Sequence, residues 1–183
     1  MRLFLFLALG QMLFLTACTG QAQKAKINGL SFVGSQALPS DSCWQTVLYV
    51  NANTISLMPY AYGKNNETKL VSHTAWQWSG ESYQGIAHCV KAGKERGLNV
   101  IIKPHLWLGW EDYTGKLQQK NEEDWKVWSE QYNAYVIQFA KLAAQNDLQY
   151  FCLANEMESY WRNYPSGFEA LIDSCKKIFR GNL

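Results

Sequence analysis

The fold is constrained most by a regular alternation of short apolar strands with amphipathic helices along the chain. The apolar runs predict strands at residues 27–33, 54–60, 100–106 and 149–154. Helical periodicity predicts four helices. The first begins at residues 39–40, and the other three span about 82–96, 122–145 and 167–180. Near-continuous apolar strands are typical of parallel strands that are covered on both faces. The alternation therefore predicts an α/β protein with a parallel sheet.

Two parallel architectures fit this alternation, the doubly wound sheet and the (β/α)8 barrel. A doubly wound nucleotide-binding sheet is expected to have a glycine-rich turn after its first strand, but residues 29–34 match neither GxGxxG nor a P-loop. Residues 27–183 divide into four strand–helix units of roughly 39 residues each. Eight such units would need roughly 310 residues, which is a usual length for a (β/α)8 barrel. We therefore expect a TIM (β/α)8 barrel truncated to about its first four βα units, with residues 181–183 opening a fifth strand.

The N-terminal residues have the pattern of a bacterial lipoprotein signal peptide. Arg2 supplies a positive charge, residues 3–15 are mainly apolar, and residues 15–18 read LTAC, a lipobox that ends at Cys18. The apolar run is too short for a membrane-spanning helix, so we expect a lipid anchor on Cys18. An ordinary secretory signal with a chance cysteine is the alternative. The expected segments are a signal peptide at residues 1–17, a lipidated tether at 18–26 and one barrel-like domain at 27–183.

Composition and cysteine spacing exclude several classes of function. The net charge of +2 falls to about +1 when the segment with Arg2 is removed, which gives no electrostatic attraction to nucleic acid. The cysteines show no metal-ligand spacing, so we expect neither a metal nor another cofactor. Export permits disulfides, yet Cys89, Cys152 and Cys175 fall on apolar faces and are expected to be buried free thiols. The protein is expected at the periplasmic or outer cell surface, held to a membrane by its lipid.

Polar and aromatic residues stand at three of the four predicted strand ends, where barrel enzymes place their active sites. Tyr60 ends the second strand, and His105 and Trp107 lie at the end of the third. Asn155 and Glu156 follow the fourth strand. Together these residues predict a pocket for a flat-faced ligand that is rich in hydroxyl groups.

Several of these residues also have a purely structural interpretation. His105 either lines the pocket or is a barrel histidine bonded to a backbone carbonyl. Trp107, together with Trp110, forms either a sugar platform or a packed loop. Lys103 lies two residues before His105 and should point inward one layer deeper, where its ammonium group needs an ion pair or a ligand.

Three segments of the chain resemble glycoside hydrolase family 113, whose characterised members include β-1,4-mannanases. They are residues 53–62, 97–105 and 153–158. The resemblance implies a retaining (β/α)8 glycosidase that acts on polysaccharide, with its acid/base at the end of strand four and its nucleophile at strand seven. It implies that Glu156 is the acid/base, that Asn155 holds the sugar 2-hydroxyl, and that His105 lines the site.

A retaining mechanism needs two carboxyl groups about 5–5.5 Å apart, and the implied nucleophile has no counterpart because this sequence ends before strand five. Glu158 is expected to face solvent, while Glu111 and Asp112 fit a solvated loop better than a replacement. The expected function is hydrolysis of β-1,4-mannan-type polysaccharide by the full-length protein, with this chain an inactive half. The alternatives are a non-catalytic saccharide-binding or envelope lipoprotein, and a half-barrel that dimerises to cover its open sheet edges.

The lipobox predicts a mature N-terminus at Cys18. Because the thiol carries the lipid, Cys18→Ser should leave the protein unprocessed or release it from the membrane fraction. Metabolic labelling with a fatty acid and membrane fractionation of wild type and variant check this expectation. Unchanged processing and unchanged fractionation of the Cys18→Ser protein would contradict it.

Overall fold

The computed structural model describes residues 26–110 and 112–183. The predicted signal peptide, Cys18 and most of the tether lie outside the described residues, as does Glu111. Across the part that is described, none of the helices combines the length and the apolar character needed to cross a membrane.

The main sheet has four parallel strands in the order β1-β2-β4-β6. Their bounds are Gly29–Phe32 for β1, Thr54–Leu57 for β2, Asn99–Ile102 for β4 and Tyr150–Phe151 for β6. Two further strands pair in parallel as a second small sheet, β3 at Tyr60–Tyr62 and β5 at His105–Trp107. Each strand of the main sheet is followed by a helix. The expected parallel α/β fold with about four βα units is confirmed.

The second and third predicted strands are each interrupted by a proline. A proline has no N–H to donate to a strand ladder, so β2 ends before Pro59 and β4 ends before Pro104. The direction of the chain is kept across each break: the Lys103 N–H donates to the Leu57 carbonyl (2.8 Å) and the His105 N–H to that of Pro59 (2.9 Å). Strands β3 and β5 therefore continue β2 and β4 toward one edge of the sheet.

The fourth strand is shorter than the predicted range of 149–154, because regular pairing is limited to Tyr150 and Phe151. One more backbone hydrogen bond, from Cys152 N–H to the Ile102 carbonyl (2.9 Å), extends the ladder. On the other side of β6, Asn182 forms a parallel bridge with Tyr150. This bridge is where the sequence predicts a fifth strand to open.

Three of the predicted helices are found close to their expected bounds. They are α1 at Asp41–Tyr49, α2 at Tyr83–Glu95 and α3 at Glu122–Gln145. The predicted last helix at 167–180 is found as α5 at Pro165–Ile178, but a short helix that was not predicted, α4 at Glu158–Asn163, precedes it. Tyr164 separates them with φ −141° and ψ 64°, because a residue that precedes proline is sterically disfavoured in the helical region.

The core lies between the sheet and the helices, and its largest cluster is aromatic. Trp128 stacks on Tyr132 with ring centroids 5.0 Å apart, and Trp125 stacks on Tyr160 at 6.0 Å. All four rings are buried, so the tryptophans of α3 are core residues. Because α3 and α4 both contribute to this cluster, it anchors the turn that follows β6.

The thiols of the described region are free, as expected, but only two of the three are fully buried. Cys89 and Cys175 are buried, and burial raises the pKa of each thiol to about 11. Cys152 is half-buried and donates to the Ala154 carbonyl at 3.1 Å. Cys43 is exposed.

Asn121 caps the long helix α3, and the contribution of this cap to stability can be measured. Its side-chain oxygen accepts a hydrogen bond from the Asp124 N–H at 2.9 Å. Asn121→Ala leaves that N–H unpaired and should lower the free energy of unfolding by about 1 kcal/mol, whereas Asn121→Asp keeps the acceptor and should cost much less. Urea denaturation of the three proteins measures the difference; an equal loss in both variants would contradict the cap.

Candidate active site at the strand ends

The strands β3 and β5 carry aromatic rings on one face. The register pairs Tyr60 with His105 and Tyr62 with Trp107, so these four rings lie on the same side of the small sheet. All four are half-buried, whereas Ala61 and Leu106 on the opposite side are buried in the core. We call the set formed by Tyr60, Tyr62, His105 and Trp107 the aromatic platform.

Ring contacts extend the aromatic platform beyond the two strands. Tyr60 lies 5.1 Å from the His105 ring and 6.5 Å from that of Tyr62, measured between centroids. Trp76 meets Tyr62 edge-on at 4.8 Å. Trp107 packs edge-on against Trp110 at 5.0 Å, and Trp110 is 93% exposed. Trp107 therefore has a protein contact on one side and partial access to solvent, a combination that suits sugar stacking as well as loop packing.

His105 is held in an environment that disfavours its charged form. Burial lowers the pKa of its imidazole to about 4, and the nearby charge of Lys103 contributes. Its Nε2 atom is buried and has no hydrogen-bond partner among residues 26–110 and 112–183. The Tyr135 hydroxyl donates to the backbone carbonyl of His105 at 3.1 Å, which fixes the strand at this point. The imidazole ring is therefore neutral at ordinary pH.

Lys103 lies on the His105 side of the third strand, as its spacing predicts. Burial alternates along residues 101–107, and Lys103 is half-buried one layer below His105. The expected ion pair is not formed within the part of the chain that the structure describes. Its charge adds to burial in lowering the pKa of His105, and it opposes in part the rise that burial causes in the pKa of Cys152.

Asn155 and Glu156 form a bend after β6, just before α4. Asn155 is half-buried and Glu156 is exposed. Glu156 has a φ of +55°; the other non-glycine residues with positive φ in the described region are asparagine, aspartate or histidine. Such a backbone conformation costs about 1–3 kcal/mol for an ordinary residue and is concentrated at functional sites. The carboxylate of Glu156 is held at the edge where the platform ends.

A second carboxylate at this edge, that of Glu81, was missed by the sequence analysis. The Tyr62 hydroxyl donates to Glu81 Oε2 at 2.5 Å, and burial together with Glu81 raises the pKa of Tyr62 well above its usual range. Gln77 Nε2 donates to the carbonyl oxygens of Tyr60 (2.8 Å) and Glu81 (3.3 Å). Glu81 lies in a loop between a strand and a helix, where no periodic pattern marks its position.

Tyr60 connects the two carboxylates electrostatically. Burial raises the pKa of its phenol, and the charges of Glu81 and Glu156 raise it further. Glu158 takes no part, since it is exposed and pairs with Arg162 at 2.9 Å, as expected. The structure thus brings Tyr60, His105 and Glu156 to one edge of the sheet, with Glu81 as an addition.

Other places in the described region offer less chemistry. No group of three histidine, cysteine or acidic side chains suited to a metal ion occurs in residues 26–110 and 112–183. A cavity of about 470 Å³ lies at the opposite end of β6, between residues 144–149 and 178–182. No residue of the aromatic platform lines it, and it lies away from the strand ends at which barrel proteins build their sites.

A parallel sheet with its polar and aromatic residues at the carboxyl ends of the strands is the arrangement of (β/α)8-barrel enzymes. The chain belongs to Glycoside Hydrolase Family 113, whose family model matches residues 35–183. A comparison with curated proteins finds no match.

Solved structures share this fold at low sequence identity. The GH113 β-mannanase from Alicyclobacillus acidocaldarius, solved in complex with ManMIm, gives a TM-score of 0.72 at 18% identity. Two structures of GH113 β-1,4-mannanase, one of them a complex, give TM-scores of 0.68 and 0.65 at the same identity. The alignments cover 85% of this chain and 52–53% of the other chains. The chain therefore spans about half the length of these structures.

The environment of His105 predicts a specific titration. Its imidazole should ionise near pH 4, and Lys103→Met should raise that pKa because one of its two causes is removed. Between pH 6.5, the ordinary pKa, and pH 4, the His105 imidazole is protonated in the unfolded chain and neutral in the folded chain. The free energy of unfolding should therefore decrease as the pH falls through this range. NMR titration of the histidine ring protons checks both, with the exposed Lys141→Met as control. Ionisation of His105 near 6.5 would contradict this environment.

Proposed function

We propose that the protein is a glycoside hydrolase of the retaining type that acts on β-1,4-mannan-type polysaccharide. The single observation that carries the proposal is the position of Glu156, in a strained turn at the strand ends and within electrostatic reach of Tyr60 on the aromatic platform. Family membership and the β-mannanases with the same fold support the choice of substrate.

Each residue of the site has a role in this mechanism. Glu156 donates a proton to the leaving glycosidic oxygen and later takes one from the attacking water. Asn155, half-buried beside it, binds the 2-hydroxyl of the sugar at the scissile bond. Tyr60 and Trp107 contact the faces of sugar rings, and the neutral His105 ring, which packs beside Tyr60, lines the same site.

The nucleophile completes the mechanism and must lie about 5–5.5 Å from the acid/base carboxyl. Glu158 pairs with Arg162, Asp112 is exposed, and the Glu81 carboxylate is hydrogen-bonded by Tyr62. We therefore assign the nucleophile to the half of the barrel that this chain does not span, and we propose that the 183-residue chain alone is inactive. Lipidation of Cys18 would hold the enzyme at the cell envelope, where extracellular polysaccharide is accessible.

A second function is favoured by a different observation, namely that the aromatic platform is complete within the described residues. In that case the protein is an envelope lipoprotein that binds saccharide without cleaving it. The two functions share the ligand and differ in turnover. Binding without hydrolysis in a version that contains all eight βα units would favour the second.

The catalytic assignment is tested in a version of the protein completed with strands five to eight. Glu156→Ala should lower turnover of mannan by at least about 100-fold, because protonation of the leaving group is lost. On aryl mannosides with an acidic leaving group it should retain most of kcat/KM, because the first step then needs no proton, while azide should restore the slowed second step by replacing the base-assisted water. Reducing-sugar release and aryl-leaving-group absorbance measure the two rates, with Glu158→Ala as the matched control.

Three outcomes contradict the proposal at different points. Hydrolysis by the 183-residue chain would show that its own residues supply the nucleophile. Equal losses in the Glu156→Ala and Glu158→Ala proteins would remove the acid/base assignment. Inactivity of the completed, folded protein on mannan and mannooligosaccharides would remove the proposed reaction.

A further inference from the structure

The loop that ends at Glu81 is packed backbone against backbone on the residues that follow β1. A Cβ atom on Gly80 would lie 2.7 Å from the Ser35 nitrogen, and one on Gly34 would lie 2.9 Å from the Gly80 carbonyl oxygen. The Gly80 N–H donates to the Ser35 carbonyl at 3.0 Å. Both positions need glycine because no side chain fits between the two backbones. The loop is thereby fixed directly before the carboxylate.

The residues after Glu81 fix it from the other side. Ser82 is the N-cap of α2, and its Oγ accepts from the Gly85 N–H at 3.1 Å. A Cβ atom on Gly85 would lie 1.6 Å from the carbonyl oxygen of Ser79, so the first turn of α2 lies directly against the loop. Contacts on both sides therefore hold the Glu81 backbone at the edge of the aromatic platform.

The Glu81 carboxylate is oriented by one hydrogen bond and has capacity for more. Its Oε2 accepts from the Tyr62 hydroxyl, a short charge-assisted bond of 2.5 Å. Within residues 26–110 and 112–183 it has no cationic partner, and Oε1 receives no hydrogen bond. An ionised carboxylate is an acceptor only, with about four lone-pair sites, so the half-buried Glu81 side chain can accept further hydrogen bonds from solvent or from a ligand.

We propose that Glu81, positioned by Tyr62, binds hydroxyl groups of a neutral saccharide and determines which sugar residue the platform accepts. This inference rests on the proposed function and adds to it a subsite beside the one that contains Glu156.

The surroundings of Glu81 favour a neutral polyol over a cation as its ligand. The carboxylate accepts from Tyr62, whose ring contacts those of Tyr60 and Trp76, and such rings suit the apolar face of a sugar ring. Neighbouring hydroxyls on such a ring can donate to Oε1 while the ring face lies on the platform. A carboxylate that accepts from particular hydroxyls discriminates strongly against analogues that lack them, because its lone pairs are then left unpaired.

The test measures binding of mannotetraose to the 183-residue protein by calorimetry. Glu81→Gln keeps the size of the side chain but removes the charge, and it should weaken binding about tenfold, as expected for hydrogen bonds to a charged group. Tyr62→Phe leaves the carboxylate unoriented and should weaken binding by a smaller factor. Glu169→Gln, an exposed position on α5, is the matched control and should leave the affinity unchanged. Circular dichroism and thermal unfolding verify that each variant folds.

Mono-deoxy analogues of mannotetraose separate a direct contact from a structural effect. Wild type should lose affinity for the analogue that lacks the bound hydroxyl, and Glu81→Gln should distinguish that analogue from the parent sugar much less, because the two changes weaken the same interaction. An unchanged preference in Glu81→Gln would overturn the inference, even if overall affinity falls.

The two proposals fail in different ways. If Glu81→Gln binds mannotetraose as wild type does while Tyr60→Ala and His105→Ala lose binding, the saccharide site stands and the role of Glu81 is refuted. If the folded 183-residue protein binds no mannotetraose, the inference is refuted, because the aromatic platform and Glu81 both lie within it. If a folded version completed with strands five to eight neither binds nor hydrolyses mannotetraose, the proposed function is refuted as well.

Discussion

The site depends on the parallel register between the second and third strands beyond their prolines. Pairing of β3 with β5 places Tyr60 beside His105 and Tyr62 beside Trp107, which puts four rings on one face. A shift of one residue in either strand would turn its rings toward the helices and bring Ala61 or Leu106 to the ligand side. The backbone bonds across Pro59 and Pro104 keep this register after the main sheet has ended. The proposed substrate contacts, the charges of the site and the turn with Glu156 all lie at that edge.

At this edge, the neutral rings of Tyr60 and His105 lie near charged side chains. Burial and the charges of Glu81 and Glu156 raise the pKa of Tyr60, so its phenol stays protonated and can donate a hydrogen bond. His105 is neutral at ordinary pH because burial and Lys103 disfavour its cation. Neutral donors and acceptors between carboxylates suit an uncharged, hydroxyl-rich ligand better than an ionic one. The geometry therefore agrees with the chemistry that family membership implies.

The sequence predicted those parts of the fold that leave a local pattern of apolar residues along the chain. Apolar runs gave the parallel strands and their order along the chain, and helical spacing gave α3 with the right bounds. The six-residue α4 was missed because so short a segment shows no clear helical period. Tyr60, His105 and Glu156 could be assigned to one edge because strand ends converge there. Glu81 could not, since its position results from glycine contacts between segments far apart in the sequence.

The central claim is that saccharide binds at the aromatic platform. The most direct measurement is chemical-shift mapping of the isotope-labelled protein during titration with mannotetraose. The account predicts that the shifted resonances cluster at residues 60–62, 76–81, 105–110 and 155–156. Shifts confined to the cavity of residues 144–149 and 178–182 at the opposite end of β6, or the absence of any saturable shift, would contradict it.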